Sequence, residues 1–166
     1  MRIQKSPNAW SCLPTACATV LDIPVGDFIR HIGHAGSAIV WPGLKEPSRR
    51  RGFHIQECIE VLLRAGIAVT PIEVLPRLAP AFTVPALVIL YQGSESAAFK
   101  HFRDVIRRGV GVITGHANTI GHAVAYDHGT IFDCQRATAY PYHHKTCEEN
   151  GFVGYCAWQF NNIGTP

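Results

Sequence analysis

The chain carries little charge and has no long apolar run. Charged residues make up 16% of its 166 residues and hydrophobic residues 47%; this balance excludes a disordered chain and predicts that much of the sequence is buried. No apolar run approaches the roughly 20 residues that a membrane-spanning helix needs, and residues 1–7 lack the apolar core of a secretory signal. We therefore expect a globular protein without a membrane span, located in the cytoplasm.

Cysteine pairs of the Cys-x-x-Cys type are also absent, although the chain has six cysteines. A core-forming chain of this size without an export signal does not need disulfides, so we expect free thiols. Cys134, His143, His144, Cys147 and Cys156 are close in sequence and carry zinc-binding groups, but their spacing matches no zinc finger or ribbon. We expect neither a metal nor another cofactor.

Length and hydrophobic patterning predict one α+β domain that spans residues 1–166. Helical patterns dominate the first part of the chain, and Gly66 follows the third of them as a C-terminal glycine. β-branched runs dominate the second part and predict a mostly antiparallel sheet, whose first strand contains Pro71 and should lie at an edge or a bend. The predicted helices cover residues 12–22, 26–32, about 55–65 and about 99–109, and the predicted strands cover residues 67–74, 86–91, 110–114, 122–126, 130–134 and 153–160.

A long irregular segment separates the second and third predicted helices. Residues 33–52 are rich in glycine and proline and include Trp41, and such a loop can roof a cleft. The same segment holds the only concentrated charge of a chain with a net charge of +3, namely Lys45 and the run Arg49, Arg50 and Arg51. We interpret this run as a solvated loop rather than as a surface for nucleic acid or another anionic partner.

Cys12 lies where a polar, turn-prone segment meets the start of the first predicted helix. The N–H groups and the positive dipole end of a helix N-terminus stabilise a thiolate, which is the form of cysteine that attacks a carbonyl carbon. Pro14 is compatible with this position because the first turn of a helix has no intrahelical N–H bond to lose. Cys12 is therefore the candidate nucleophile, whereas Cys17 and Cys58 are predicted to pack in the core.

His122 begins a predicted strand that returns through a two-residue hairpin loop, His128-Gly129. If these two residues form the loop, Val124 pairs with Asp133, and Asp133 becomes a diagonal neighbour of His122 on the same face of the sheet. Its carboxylate can then accept the imidazole N–H and favour the protonated ring that pairs with a thiolate. A register shift of one residue would move Asp133 to the opposite face.

Each of these assignments has a rival in the sequence. His116 also follows a glycine, but we expect it in the connecting loop before the strand of His122. Asp127 is a second carboxylate on the hairpin, where turn chemistry is its ordinary role. Trp10, two residues before Cys12, either walls a substrate pocket or closes the core.

The segments around Cys12 and His122 resemble two motifs of the papain-like, C39-like cysteine peptidases. Residues 12–21 (CLPTACATVL) are similar to that family's nucleophile helix, whose pattern is Cys-Gly-Pro-Thr followed by small and apolar residues, and residues 121–124 (GHAV) resemble its Gly-His-hydrophobic strand. Leu13 stands where the family has glycine. The order of elements before the histidine strand is also similar. The resemblance implies a papain-like fold, in which an N-terminal helical half with the nucleophile helix packs on a mostly antiparallel sheet.

The resemblance also implies a role for each candidate residue. Cys12 would be the nucleophile, His122 the general base and acid, and Asp133 the residue that orients the imidazole. The family places the glutamine of its oxyanion hole a few residues before the cysteine, and Gln4 is the only glutamine available there. Asn8 lies nearer and is the alternative donor to the oxygen that becomes negative in the tetrahedral intermediate.

Together these residues predict a cysteine peptidase that hydrolyses a peptide, isopeptide or related amide bond of a peptide or protein substrate without a cofactor. There are two alternatives. A catalytically inactive module with the same fold would hold a peptide in its cleft, and an amidase or acyltransferase would use the same Cys-His chemistry on another acceptor. Fast alkylation of one cysteine at mildly acidic pH distinguishes an active site from the binding module.

Overall fold

A six-stranded antiparallel sheet is the centre of the computed structural model, which describes residues 1–73, 97–118 and 120–162. The strands are β1 (Ile67–Glu73), β2 (Val110–Ala117), β3 (Ile120–Asp127), β4 (Thr130–Asp133), β5 (Thr138–Pro141) and β6 (Phe152–Asn162), and the helices are α1 (Cys12–Leu21), α2 (Val25–Ile32), α3 (Ile55–Arg64), α4 (Ala97–Ile106) and α5 (His144–Glu149). The strand order is β1-β6-β2-β3-β4-β5. The protein therefore has an α+β fold, with three helices before the first strand.

The predicted elements within the described residues are confirmed, with small differences at their ends. α1 begins at Cys12, α2 ends before Gly33, whose φ is 92°, and Gly66 follows α3 with a φ of 76°. β1 contains Pro71 and lies at the edge of the sheet, as the proline predicts. The predicted strand at 86–91 lies outside the described residues. β5 and α5, which are four and six residues long, were not predicted; unlike β4, neither is marked by a hairpin turn that the sequence predicts.

Each face of the sheet covers its own hydrophobic core, and β3 contributes alternate residues to both. Ala123 and Ala125 pack in the core under α1, α2 and α3, whereas Val124 and Tyr126 pack in the core on the side of α4 and α5. This alternation is the period of two that a strand imposes on its side chains. The helices contribute Leu13, Ala16, Cys17, Ala18, Phe28, Cys58 and Leu62 to the first core and Phe102, Ile106 and Cys147 to the second.

α1 is buried almost all round, with every residue from Leu13 to Thr19 inside the protein. Small side chains at Ala16, Cys17 and Ala18 let the helix lie close to the sheet, and their relative exposure is 0%. The position of Cys12 is thus fixed by packing along the helix that it begins. Among the described residues, no single helix is both long and apolar enough to cross a membrane.

The hairpin between β3 and β4 has the register that the sequence predicts. His128 and Gly129 have φ values of 45° and 87°, which are the left-handed values of a two-residue hairpin turn. Ala125 pairs with Phe132 in the resulting ladder. Continuing this register by one residue puts Asp133 opposite Val124.

We expect Gly111→Ala to lower the free energy of unfolding by about 1–3 kcal/mol, the usual cost of overpacking. Gly111 of β2 lies so close to β6 that an added Cβ atom would overlap the carbonyl oxygen of Trp158. Urea denaturation measures the change. The matched control is Gly26→Ala in α2, where the added Cβ meets nothing within 4 Å apart from its chain neighbours and the backbone of its own helix and where alanine should stabilise the helix by up to about 1 kcal/mol. Equal stability of wild type and Gly111→Ala would contradict this packing.

Candidate active site

The structure brings Cys12, His122 and Asp133 together from three elements that are distant in sequence. Cys12 is the first residue of α1 and is half-buried, His122 is the third residue of β3, and Asp133 is the last residue of β4. α1 packs on the sheet beside β3, so its N-terminal end meets the exposed end of that strand. The three side chains that the sequence analysis proposed as nucleophile, base and orienter are therefore neighbours.

Asp133 is held by three hydrogen bonds that converge on one carboxylate oxygen. Its Oδ1 lies 3.0 Å from His122 Nε2 and accepts the backbone N–H groups of Gln135 at 3.0 Å and Arg136 at 3.3 Å. The residue is only 1% exposed. Burial raises the pKa of Asp133, but the hydrogen bonds from His122 and the two backbone groups outweigh it, so the pKa lies below its ordinary value. Asp133 is therefore an ionised carboxylate with a fixed orientation.

His122 has a carboxylate on one ring nitrogen and the thiol of Cys12 as its second partner. Burial lowers the pKa of His122, but the hydrogen bonds to Asp133 and to Cys12 raise it to about 9. Because Nε2 is bonded to Asp133, Nδ1 is the ring nitrogen available to Cys12. The edge of the ring packs against Phe152, with 6.0 Å between ring centroids. The ring is thus a protonated, oriented partner for the sulfur at neutral pH.

The turn before α1 leaves the start of the helix open. Asn8 Oδ1 accepts the backbone N–H of Trp10 at 3.1 Å and the hydroxyl of Ser11 at 2.7 Å. Ser11 is the residue that would ordinarily cap the helix, but its side chain makes no cap hydrogen bond. The N–H groups of Cys12 and Leu13 are therefore not capped by a side chain, whereas Pro14 has no N–H and Thr15 N–H donates to Ser11 O at 3.1 Å.

Gln4 lies at the other end of α1 from Cys12, and this corrects its assignment to an oxyanion hole. Its Nε2 donates to Ile23 O at 2.6 Å and its Oε1 accepts the N–H of Val25 at 3.1 Å, which ties the turn between α1 and α2. A ten-residue helix is about 15 Å long, so nearness in sequence did not bring Gln4 near the sulfur. Asn8, the alternative, uses its oxygen in the turn before α1 and does not line the cleft.

An open cleft of about 360 Å³ lies over Cys12 and His122. The sheet forms one wall, and the segment between α2 and α3 forms the other. The described lining consists of Ala9, Trp10, Cys12, Leu13, Pro47, Ser48, Arg50, Arg51, Gly52, Phe53, Thr114, Gly115, Ile120, Gly121, His122 and Ala123. The sulfur and the imidazole are therefore within reach of a bound molecule.

Trp10 fixes the loop wall of the cleft to the segment that carries the nucleophile. Its indole N–H donates to Ala35 O at 3.1 Å, and the guanidinium of Arg50 lies 5.0 Å above its ring. Within the loop, Arg51 N donates to Ala38 O at 2.8 Å. Trp10 thus walls the pocket, one of the two roles that the sequence left open. The sequence does not reveal that Arg50 and Arg51 belong to this wall, because a run of arginines does not indicate which of them face a cleft.

The rival residues lie outside the cleft. His116 is part of β2, so its predicted place in a connecting loop is wrong; its ring is hydrogen-bonded to the hydroxyl of Tyr155, and burial lowers its pKa. Asp127 Oδ1 is 2.5 Å from Nδ1 of His128, its neighbour on the hairpin turn. Neither side chain contacts the triad of Cys12, His122 and Asp133.

Four of the other cysteines, Cys17, Cys58, Cys134 and Cys147, are buried thiols. Burial raises the pKa of Cys134 to about 11 and that of Cys147 to about 12, and it raises the pKa of Cys17 as well. Cys58 is fully buried. In residues 1–73, 97–118 and 120–162, no group of three or more His, Cys, Asp or Glu side chains is arranged to hold a metal ion.

Comparisons of the chain with protein-family models, with curated proteins and with solved structures gave no match. The residues of the site and their geometry are therefore the basis on which a function can be inferred.

We expect Asp133→Asn to lower the pKa of His122 from about 9 toward its ordinary value of 6.5, because a neutral amide no longer offsets the imidazolium charge. An NMR titration of the ring measures this change. A raised histidine pKa stabilises the folded state fully below pH 6.5, and this contribution is lost as the pH rises through 9. The decline in unfolding free energy over that range should be smaller in the variant.

The matched control is Asp127→Asn, which removes a carboxylate from the same hairpin but leaves the bond between His122 and Asp133 in place. The pKa of His122 should stay near 9 in this variant. The same high value in Asp133→Asn would contradict the assigned hydrogen bond.

We expect Gln4→Ala to lower the free energy of unfolding by about 1–3 kcal/mol, since it removes two partly buried hydrogen bonds at the turn between α1 and α2. Chemical denaturation measures the loss. Gln56→Ala, on the exposed side of α3, is the control and should change stability by no more than about 0.5 kcal/mol. Equal effects of the two substitutions would show that Gln4 does not hold this turn.

Proposed function

We propose that the protein is a cysteine hydrolase of the papain-like, C39-like type that cleaves a peptide, isopeptide or related amide bond. The observation that carries this proposal is the chain of contacts from Cys12 to His122 to Asp133 at the floor of an open cleft. A nucleophile, a base and a third group that orients the base are the arrangement that nucleophilic catalysis requires.

Each step of the reaction has a residue in position. The thiolate of Cys12 attacks the carbonyl carbon, and the carbonyl oxygen takes up the negative charge. His122 donates its proton to the leaving amine as the C–N bond breaks, which produces a thioester and a neutral imidazole. His122 then removes a proton from water, the resulting hydroxide attacks the thioester, and cleavage of the C–S bond releases the acid product and restores the Cys12 thiolate beside the protonated His122. Asp133 keeps the ring in the correct orientation throughout.

The backbone supplies the oxyanion hole in this proposal. The backbone N–H groups of Cys12 and Leu13, at the uncapped start of α1, would donate to the oxygen that becomes negative. Gln4 takes no part, because its amide is bonded at the far end of the helix. Loss of a true oxyanion donor costs about 10²–10³ in kcat, and we expect no such loss in Gln4→Ala.

The alternative is a catalytically silent module that holds a peptide in the same cleft. The position of Gln4 favours this alternative, because the cleft then lacks the side-chain donor that the resemblance implies. The raised pKa of His122 favours the hydrolase, because a binding module has no use for a protonated imidazole beside a thiol. An amidase or acyltransferase would use the same residues and differ only in the acceptor. Free thiols fit a reducing compartment such as the cytoplasm.

We expect iodoacetamide to label Cys12 at pH 5.5 at least about tenfold faster than any other cysteine, because the proposed mechanism requires a thiolate–imidazolium pair whereas ordinary thiols are protonated at this pH. Peptide mapping over a pH series measures the rates. His122→Gln should abolish this preference. Cys156→Ser, which removes the other half-buried cysteine, is the matched control and should retain it. Equal, slow labelling of all accessible cysteines would favour the binding module.

Cys12→Ala should abolish amide cleavage without unfolding the domain, since Cys12 lies at a helix end and not within the core. Cleavage of a mixed peptide library is followed by mass spectrometry, and circular dichroism checks the fold. Full activity of the purified variant would refute the role of Cys12. A mass increase from a transferred acyl group, without a hydrolysis product, would identify an acyltransferase.

A further inference from the structure

The described lining of the cleft contains cationic side chains and no carboxylate. Arg50 and Arg51 are contributed by the loop wall and His122 by the sheet wall, whereas none of the other lining residues carries a charge. On the basis of the proposed hydrolase function, we infer that the site selects acidic substrates, with a carboxylate close to the bond that is cleaved. Arg50 is the specificity-determining residue.

Arg50 is fixed in a defined orientation at the cleft. Its Nε lies 2.9 and 3.1 Å from the two carboxylate oxygens of Glu46, and one terminal nitrogen donates to Ser37 O at 2.7 Å. The central carbon of the guanidinium lies 5.0 Å from the centre of the Trp10 ring. The other terminal nitrogen is bonded to Glu46. A guanidinium has five N–H groups. Three of them are used by Glu46 and Ser37, and two have no partner among the described residues. The side chain is 25% exposed, so these donors can meet a ligand.

The loop has more cationic than anionic groups. Glu46 is shared by Arg49 at 3.8 Å and Arg50 at 2.8 Å. Glu57 forms an ion pair with Arg51 at 2.5 Å. Burial raises the pKa of Glu57, but hydrogen bonds from His54 N–H, Arg51 and His34 outweigh it and lower the pKa to about 2. Three arginines are thus paired with only two carboxylates, and neither carboxylate lines the cleft. A substrate carboxylate would balance the excess positive charge.

The location of the charge places the carboxylate near the scissile bond. Arg50 lies over Trp10, which is only two residues before Cys12, and both line the same cleft of about 360 Å³. A cleft of this volume holds only a few residues of a peptide. The substrate's acidic group is therefore within a few residues of the carbonyl that Cys12 attacks, either as an Asp or Glu side chain or as a free C-terminal carboxylate.

The first test is cleavage of a mixed peptide library by the full-length protein, with the products identified by mass spectrometry. One half of the library has free C-termini and the other half has amidated C-termini, so the two sources of a carboxylate are separated. We expect peptides with an acidic group near the cleavage site to be cut at least about tenfold more efficiently than neutral peptides. Cleavage without this preference would overturn the inference and leave the proposed hydrolase function intact. Absence of cleavage together with slow labelling of Cys12 would overturn both.

The variants separate charge recognition from a structural role of Arg50. In Arg50→Gln the preference for acidic over neutral peptides, measured as the ratio of their cleavage efficiencies, should fall at least about fivefold. Arg50→Lys keeps the charge and should recover part of this preference. Arg30→Gln is the matched control, because Arg30 is paired with an acidic neighbour on α2 and does not line the cleft. An unchanged ratio in Arg50→Gln, with the fold intact, would contradict the role of Arg50.

A second measurement needs no peptide substrate. Iodoacetate and iodoacetamide alkylate the same sulfur, but only iodoacetate is an anion, so the ratio of their rates at Cys12 reports the electrostatic potential of the cleft. We expect Arg50→Gln and Arg51→Gln each to lower this ratio about twofold to fivefold, and 0.5 M salt to reduce the difference between wild type and variants. Arg30→Gln should leave the ratio unchanged. Equal ratios in wild type, Arg50→Gln and Arg51→Gln would overturn the inference.

Discussion

The hydrogen bond between His122 and Asp133 is the interaction on which the site depends. It exists because the β3–β4 hairpin turns through two residues. Asp133 is therefore opposite Val124, on the same face of the sheet as His122 and diagonal to it. A register shift of one residue would turn the carboxylate away, and only the contact with Cys12 would then oppose the lowering of the His122 pKa by burial. The geometry of a short turn therefore controls the protonation of a ring that lies beside a thiol.

The packing of α1 is the second constraint. A helix with small residues at positions 16, 17 and 18 lies close to the sheet, and its uncapped start carries the sulfur to the end of β3. Trp10 joins this start to the loop between α2 and α3 through a hydrogen bond to Ala35 and a cation–π contact with Arg50. The nucleophile, the base and the outer wall of the cleft are thus held by different parts of the fold. The segment from Trp10 to Cys12 connects the outer wall to the nucleophile, which in turn contacts the base.

Electrostatic surroundings distinguish Cys12 from the other thiols. The buried cysteines lie among apolar groups that raise their pKa, so they remain protonated and unreactive. Cys12 is more exposed and has an imidazole whose own pKa is raised by a buried carboxylate. The arginines of the loop wall extend this positive environment along the cleft. In our proposal this positive environment attracts an acidic substrate.

The sequence by itself determined the local secondary structure and the placement of His122 and Asp133 on one face of the sheet. Hydrophobic periods and glycines predicted α1, α2 and α3, and the period of two with a two-residue turn predicted that His122 and Asp133 share a face. The tertiary structure alone decided that Cys12 reaches His122 and that Gln4 lies at the far end of α1. It also decided which arginines line the cleft. Local patterns report interactions over a few residues, whereas the separation of groups across the fold is set by how helices and sheet pack.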